Sequence, residues 1–265
     1  MLQELHPHIR DGRITFNEKD HVYKVDQSED VYISVTTLIK SFFPKFDADR
    51  VIDKLMKHPV KWMHNKYYGK SKEEIKREWK QKGDESSRLG TLLHRTIEHY
   101  YNNVEQEIPK EIHQEFLLFK EFHNSISESL KPYRTEWCIF DEDFHVAGSI
   151  DMVYTDEYGK YHMYDWKRTL ELKKDNPYQQ GVYPFYDMED CNYNHYCLQL
   201  NLYKYLLEKK YSILIETMNL VCLYPTRSTF LVEKVPDLQL KIEKMLHFFQ
   251  SSHREEMQDC QEKEC

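Results

Sequence analysis

Three runs of alternating polar and apolar residues, Tyr133 to Phe140, His145 to Tyr154 and Lys160 to Trp166, are separated only by short turns, Asp141-Glu142-Asp143 and Asp156-Glu157-Tyr158-Gly159. Period-two alternation sends successive side chains to opposite faces, and strands this close in sequence pair antiparallel. The runs predict a meander at the heart of the chain. Before it, Ser86 and Ser87 are candidate N-caps for a helix with Leu92, Leu93, Ile97 and Tyr101 at helical spacing. A second helical stretch follows Pro109 through Ile112, Phe116, Leu117 and Phe119. After the meander, Tyr196 to Lys209 reads as a helix, Met218 to Tyr224 and Thr229 to Val235 as strands, and Asp237 to Phe249 as a closing amphipathic helix. This order predicts an α/β fold, with a central mixed sheet built on an antiparallel meander and flanked by helices.

The N-terminal part has a different character. Arg13 to Phe16 and His21 to Val25 flank Asn17-Glu18-Lys19-Asp20, a hairpin signal, and the β-branched run Val31 to Val35 leads into a helix. Asp47 to Lys82 reads as helical, with Trp62, Tyr67, Tyr68 and Trp79 among many cations. Residues 51–88 hold eleven Lys and Arg against six Asp and Glu, a surplus of +5 in a chain whose net charge is -8. The acidic total alone argues against a broad nucleic-acid-binding surface; the local surplus instead suggests a salt-sensitive groove for a polyanion. Three parts are expected: a hairpin and basic helical lobe over 1–85, a core over 86–252, and a polar tail over 253–265.

With 265 residues, 40% of them hydrophobic and 14% aromatic, the chain has enough apolar surface for a sizeable core. A mean hydropathy of -0.79, with no apolar run of membrane-spanning length, predicts no membrane association. Met1 to His6 lacks the apolar core of a signal peptide, and six scattered cysteines read as free thiols. An intracellular, reducing location is expected, equally compatible with nucleus, cytoplasm, mitochondrion or a virus-infected cell. Cys191, His195 and Cys197 offer three metal ligands without the second half a structural zinc site needs, so no zinc is expected there.

The chemistry centres on Asp151 and Asp165, which lie symmetrically about Tyr158. Symmetric pairing places them opposite each other, where two carboxylates repel unless something compensates. Two hard oxygen donors suit Mg²⁺ or Mn²⁺. Lys167, two residues beyond Asp165, shares its strand face. An Asp, Asp, Lys face of this kind suits metal-assisted phosphodiester hydrolysis. The same residues also suit the solvated end of an ordinary hairpin. Their apolar flanks, Val146 to Ile150 and Tyr161 to Tyr164, favour burial, and buried acids need partners. Gly148 is read as leaving room on the strand for another backbone or a ligand.

Four segments in order, Gly90-Thr91-Leu92-Leu93-His94, Gly148-Ser149-Ile150-Asp151, Asp165-Trp166-Lys167 and Gln199-Leu200-Asn201-Leu202-Tyr203, resemble the motifs of the PD-(D/E)XK nucleases, in particular their RecB-type exonuclease branch. The resemblance covers about residues 86 to 235. The segment Ser34-Val35-Thr36-Thr37 is similar to the N-terminal region of mitochondrial genome maintenance exonucleases and related phage or viral proteins. The resemblance implies a restriction-endonuclease-like core over 86–252 and a metal-dependent DNA exonuclease acting on single-stranded or end-bearing DNA. It further implies metal ligation by His94, Asp151, Asp165 and the Trp166 backbone carbonyl, with Lys167 as the catalytic lysine. Gln199 and Tyr203 would contact DNA phosphate or steady the site. Glu98, one turn after His94, and Glu136, on the neighbouring strand, are further candidates for the metal or its surroundings. Some relatives hold an iron-sulfur cluster on one upstream and three downstream cysteines; with no cysteine before Cys138 and no C-x-x-C, none is expected here. A structure-specific endonuclease and a catalytically silent DNA-binding scaffold remain the alternative functions, and a protein-binding scaffold a third.

Overall fold

The computed structural model describes residues 1–263, with side chains described through Ser252. A short helix α1 (Leu2–Leu5) precedes the hairpin β1 (Ile14–Asn17) and β2 (Val22–Val25), the two-residue strand β3 (Ile33–Ser34) and α2 (Val35–Ser41). The helical lobe follows as α3 (Ala48–Met56), α4 (Pro59–Met63) and the long α5 (Lys72–Tyr101). The remainder runs α6 (His113–Ile126), β4 (Lys131–Asp141), β5 (Val146–Thr155), β6 (Tyr161–Lys167), α7 (Asn192–Lys210), β7 (Ile215–Cys222), β8 (Leu231–Lys234) and α8 (Gln239–Lys263).

The predicted meander is present: β4, β5 and β6 pair antiparallel in sequence order. Strand β7 joins β6 in parallel, β8 joins β7 antiparallel, and β3 pairs in parallel with the start of β5, giving one mixed six-stranded sheet. Nearly every residue of β5 is buried, because helices cover both faces. On one face α2, α7 and α8 pack Leu38, Leu202, Leu206 and Met245 against Ile150, Met163 and Leu220. On the other, α5 and α6 pack Leu93, Ile97, Phe119 and Phe122 against Met152, Tyr154 and Trp166. No helix among the described residues is long and apolar enough to cross a membrane.

Several sequence expectations need correction. Ser86 and Ser87 cap nothing, because α5 begins at Lys72, where Ser71 and Glu74 form a reciprocal capping box. The helix runs unbroken past both serines, about 45 Å in all, and the 85/86 boundary falls inside it. It serves two cores: Ile75 packs with Ile52 and Tyr67 in the lobe, while Leu89, Leu93 and Ile97 pack on the sheet. The segment expected to be helical from Asp47 is broken at Pro59, which starts α4, and at Gly69, whose φ of +83° ends a turn. The β-branched run from Val31 shrinks to β3, since the Ser34 hydroxyl accepts the Thr37 N–H and starts α2. At the other end, the backbone of α8 extends to Lys263, so the predicted polar tail continues the closing helix that far; Glu264, Cys265 and the side chains from His253 onward lie outside the described residues.

Candidate active site

The β5–β6 ladder pairs Met152 with Tyr164 and Val153 with Met163, so the next pair in this register is Asp151 and Asp165. There the two strands stop exchanging backbone bonds. Instead, the Trp166 N–H donates to Asp151 Oδ2 at 2.8 Å, and β6 continues only along β7. Alternation then turns Met163, Asp165 and Lys167 toward α7, and Tyr164 and Trp166 toward α5 and α6.

His94 reaches the opened strand ends from α5. Its Nε2–H donates to the Trp166 carbonyl at 2.9 Å, leaving Nδ1 3.4 Å from Asp151 Oδ2 and 3.8 Å from Glu136 Oε1. One donor atom from each of His94, Glu136 and Asp151 lies within 4.8 Å of the others. Ligands on opposite sides of a Mg²⁺-sized ion stand about 4.2 Å apart, so a small contraction brings these three into one shell. The set is nitrogen and oxygen only, the chemistry of a hard or borderline divalent cation. The Trp166 carbonyl, expected as a ligand, here accepts the His94 ring, the arrangement that commonly orients a metal-binding imidazole.

Glu136 is the residue that sequence reasoning undervalued. Thr135 pairs with Met152 and Trp137 with Ile150, so Glu136 lies across from Asp151, yet this one pair is missing from the ladder. At that gap the Glu136 backbone has a φ of +43°, left-handed in mid-strand. Such a conformation costs a non-glycine residue about 1–2 kcal/mol. Ser149 Oγ steadies the carboxylate by donating to Oε2 at 3.1 Å. No propensity signal at Glu136 announces this twist. Glu98 stays one turn away on α5, outside the gathered donors; burial, then Glu136, pushes its carboxyl up.

Asp165 and Lys167 form a second, deeper pair. Lys167 Nζ lies 2.7 Å from Asp165 Oδ2, an ionic contact poorly aligned for a hydrogen bond, and Asp165 Oδ1 is buried without a hydrogen-bond partner among the described residues. The Lys167 ammonium also donates to Gln199 Oε1, and Gln199 Nε2 donates to Tyr203 Oη, both at 3.3 Å. Gln199 and Tyr203 therefore steady the lysine, and Tyr203, at 4% exposure, is too buried to touch a substrate. The open side of the site is formed by His94 and Glu136, whose side chains are 28% and 30% exposed.

Charge is balanced by burial against pairing. Burial alone lowers the His94 imidazole, but Asp151 and Glu136 outweigh it and hold the ring well above its usual value. Burial raises Asp151, and His94 then Lys167 reverse this to leave it below the ordinary carboxylate value. Burial pushes Glu136 up despite His94, and pushes Asp165 up to about 7 despite Lys167. For Lys167 burial is again opposed, and Asp165 with Asp151 keep the ammonium charged.

The space at Gly148 is not left for a ligand, as the sequence suggested. A Cβ there would stand 2.6 Å from Tyr203 Cε1 and 3.1 Å from Val35 Cγ2, so the gap is filled by the Tyr203 ring. Gly148→Ala is expected to cost about 1–3 kcal/mol of stability and to displace Tyr203 from Gln199. Chemical denaturation checks the first effect; a wild-type midpoint would show that the ring shifts freely. The three-residue Cys191, His195, Cys197 set is differently engaged: His195 Nε2 lies 2.8 Å from Asp190 Oδ1, and its ring packs 4.2 Å from that of Phe43.

No family model and no curated protein matches the chain. Among solved structures, the crystal structure of SSO0001 aligns over 83% of this chain and 73% of that one, at 13% identity and a TM-score of 0.32. A likeness that loose carries no argument, and the fold stands on the strand pairing above.

Proposed function

We propose that the chain is a metal-dependent deoxyribonuclease with a restriction-endonuclease-like core of the PD-(D/E)XK type, working from the ends of single-stranded or end-bearing DNA. The observation that carries this reading is the convergence of His94, Glu136 and Asp151 donors beside the Asp165–Lys167 pair. The buried, unpartnered Oδ1 of Asp165 adds an acceptor that a cation or its water would satisfy. A bound Mg²⁺ or Mn²⁺ polarises a phosphodiester and lowers the pKa of a coordinated water. The chain's own part is positional: His94, Glu136 and Asp151 would hold the ion, Asp165 would offer a further carboxylate to it or its water, and Lys167 supplies a fixed positive charge for the developing phosphorane.

The basic lobe supports a polyanionic substrate through phosphate contacts. Lys72, Lys76 and Lys80 are paired with Asp53, Asp49 and Asp84, whereas Lys54, Lys57, Lys61, Lys66, Arg77 and Lys82 make no ion pair among the described residues. Tyr67 is buried, and Trp62 and Trp79 pack around it and Ile75, so these rings serve the lobe's own core and are not free as base platforms. Contacts of this kind are sequence-independent.

Incubation with Mn²⁺ and labelled DNA tests the proposal. Linear single strands should be degraded while closed circular single strands stay intact. Cutting of the circle would favour the endonuclease reading of the same catalytic face, and no product from either would leave the silent DNA-binding scaffold.

A further inference from the structure

The Tyr196 ring has no place in the resemblance to nuclease motifs, yet it lies against the catalytic lysine. Lys167 Nζ stands 4.4 Å from the ring centroid, well inside the range of about 6 Å over which an ammonium is held by an aromatic face. Tyr196, Gln199 and Tyr203 recur at i, i+3 and i+7 on α7 and so form one stripe along the helix. The ammonium thus has three neighbours of different chemistry: a carboxylate at 2.7 Å, an amide oxygen at 3.3 Å and a π face at 4.4 Å. The three are unequal in what else they do. Asp165 adjoins the acid cluster, and any charge that draws on it weakens its hold on Lys167. Gln199 offers a neutral acceptor at long range. The Tyr196 ring lies outside the gathered His94, Glu136 and Asp151 donors and meets the ammonium with its face. Tyr196 also lines a groove of ≈ 400 Å³ between α2 and α7, with Thr36, Lys40, Asn192 and His195, which opens directly onto Lys167.

We propose that Tyr196 is a positioning residue that keeps the Lys167 ammonium aimed at the reaction centre while Asp165 is otherwise engaged. The ring face, and not the phenol hydroxyl, supplies the hold. The kinetic half of this inference rests on the nuclease reading above; the stability half does not.

Two measurements test it. In the metal-free protein, Tyr196→Leu should lower the melting temperature, and that loss should shrink to less than half in a Lys167→Met background, because the ring then has no ammonium to hold. Equal losses in both backgrounds would mean that Tyr196 merely fills space, and would overturn the proposal whether or not the chain is a nuclease. With Mn²⁺ and single-stranded DNA, Tyr196→Leu should lower kcat about 10–100-fold with KM unchanged, the scale of a misplaced catalytic group. Tyr196→Phe, which keeps the π face, should stay within about threefold of wild type on the same scale. If Tyr196→Leu does not fold, Tyr196→Met fills similar volume without a ring and carries the same expectation. A ringless variant with wild-type kcat, or a rise in KM alone, would overturn the proposal. An inactive wild type would remove the nuclease reading and leave the coupling between Tyr196 and Lys167 to be judged by melting.

Discussion

Lys167→Ala is expected to reduce release of nucleotides by about 10²–10³-fold, the usual effect of removing a preorganised charge from a transition state. Because Lys167 is not among the gathered His94, Glu136 and Asp151 donors, Mn²⁺ should still raise the melting temperature of the variant. That separation of binding from turnover distinguishes loss of a catalytic group from collapse of the site. The substitution also leaves the Asp165 carboxylate buried with no cation beside it. Breaking one half of a buried pair costs about 3–5 kcal/mol while the remaining group stays charged, which for Asp165 means above about pH 7. Burial already pushes Asp165 up to about 7, so the folded state binds a proton more tightly than the unfolded chain does. A raised carboxyl value means stability is lost as pH rises through that range and recovered as it falls. The penalty of Lys167→Ala should therefore shrink at acid pH. Denaturation curves across pH 4 to 8, with activity at saturating Mn²⁺, check both parts. Wild-type cleavage by the variant would remove Lys167 from the mechanism.

The second large effect is expected at Glu136. Glu136→Gln keeps the side chain's length and the left-handed backbone but removes the charge, and should weaken Mn²⁺ binding about 10–100-fold, as loss of a metal-site partner typically does. Glu136→Gly removes the carboxylate and also suits a φ of +43°, so without metal it should be more stable than Glu136→Gln by about 1 kcal/mol. Metal titration followed by thermal shift measures the first effect, and chemical denaturation of the metal-free variants the second. A Glu136→Gln protein that binds Mn²⁺ like wild type would show that His94 and Asp151 need no third protein ligand. If the glycine variant were the less stable, the twist at Glu136 would not be a strain carried for function.

Much of the frame was legible from residue order. The alternating runs at Tyr133, His145 and Lys160 became β4, β5 and β6, and the symmetry about Tyr158 placed Asp151 and Asp165 in the register later observed between Met152 and Tyr164. Local rules suffice there, because a tight turn fixes register and register fixes which side chains share a face. They failed at Ser86 and Ser87, where a good capping residue sits inside a helix that packing on two cores keeps continuous. They also failed at Gly148, whose missing side chain answers a ring some fifty residues later in the chain. Gln199 and Tyr203 enter through the resemblance, and spacing only puts both on one helix face; contact distances show that Lys167 meets Gln199 and that Gln199 meets Tyr203. The same i, i+3, i+7 stripe would have pointed to Tyr196.

By itself the sequence determined the meander, the helices around it and the placing of two acids and a lysine on adjoining strands, because each follows from periodicity and turn length within a few dozen residues. Tertiary structure alone decided which of the candidate donors gather and how they meet. His94 arrives from a helix on the far side of the sheet, Glu136 joins through a backbone twist no local preference favours, and the Trp166 carbonyl accepts the His94 ring. Those outcomes depend on how separate elements meet in space. The free energy that settles them is the burial of two helical layers against one sheet, large enough to hold a strained strand and several desolvated charges in place.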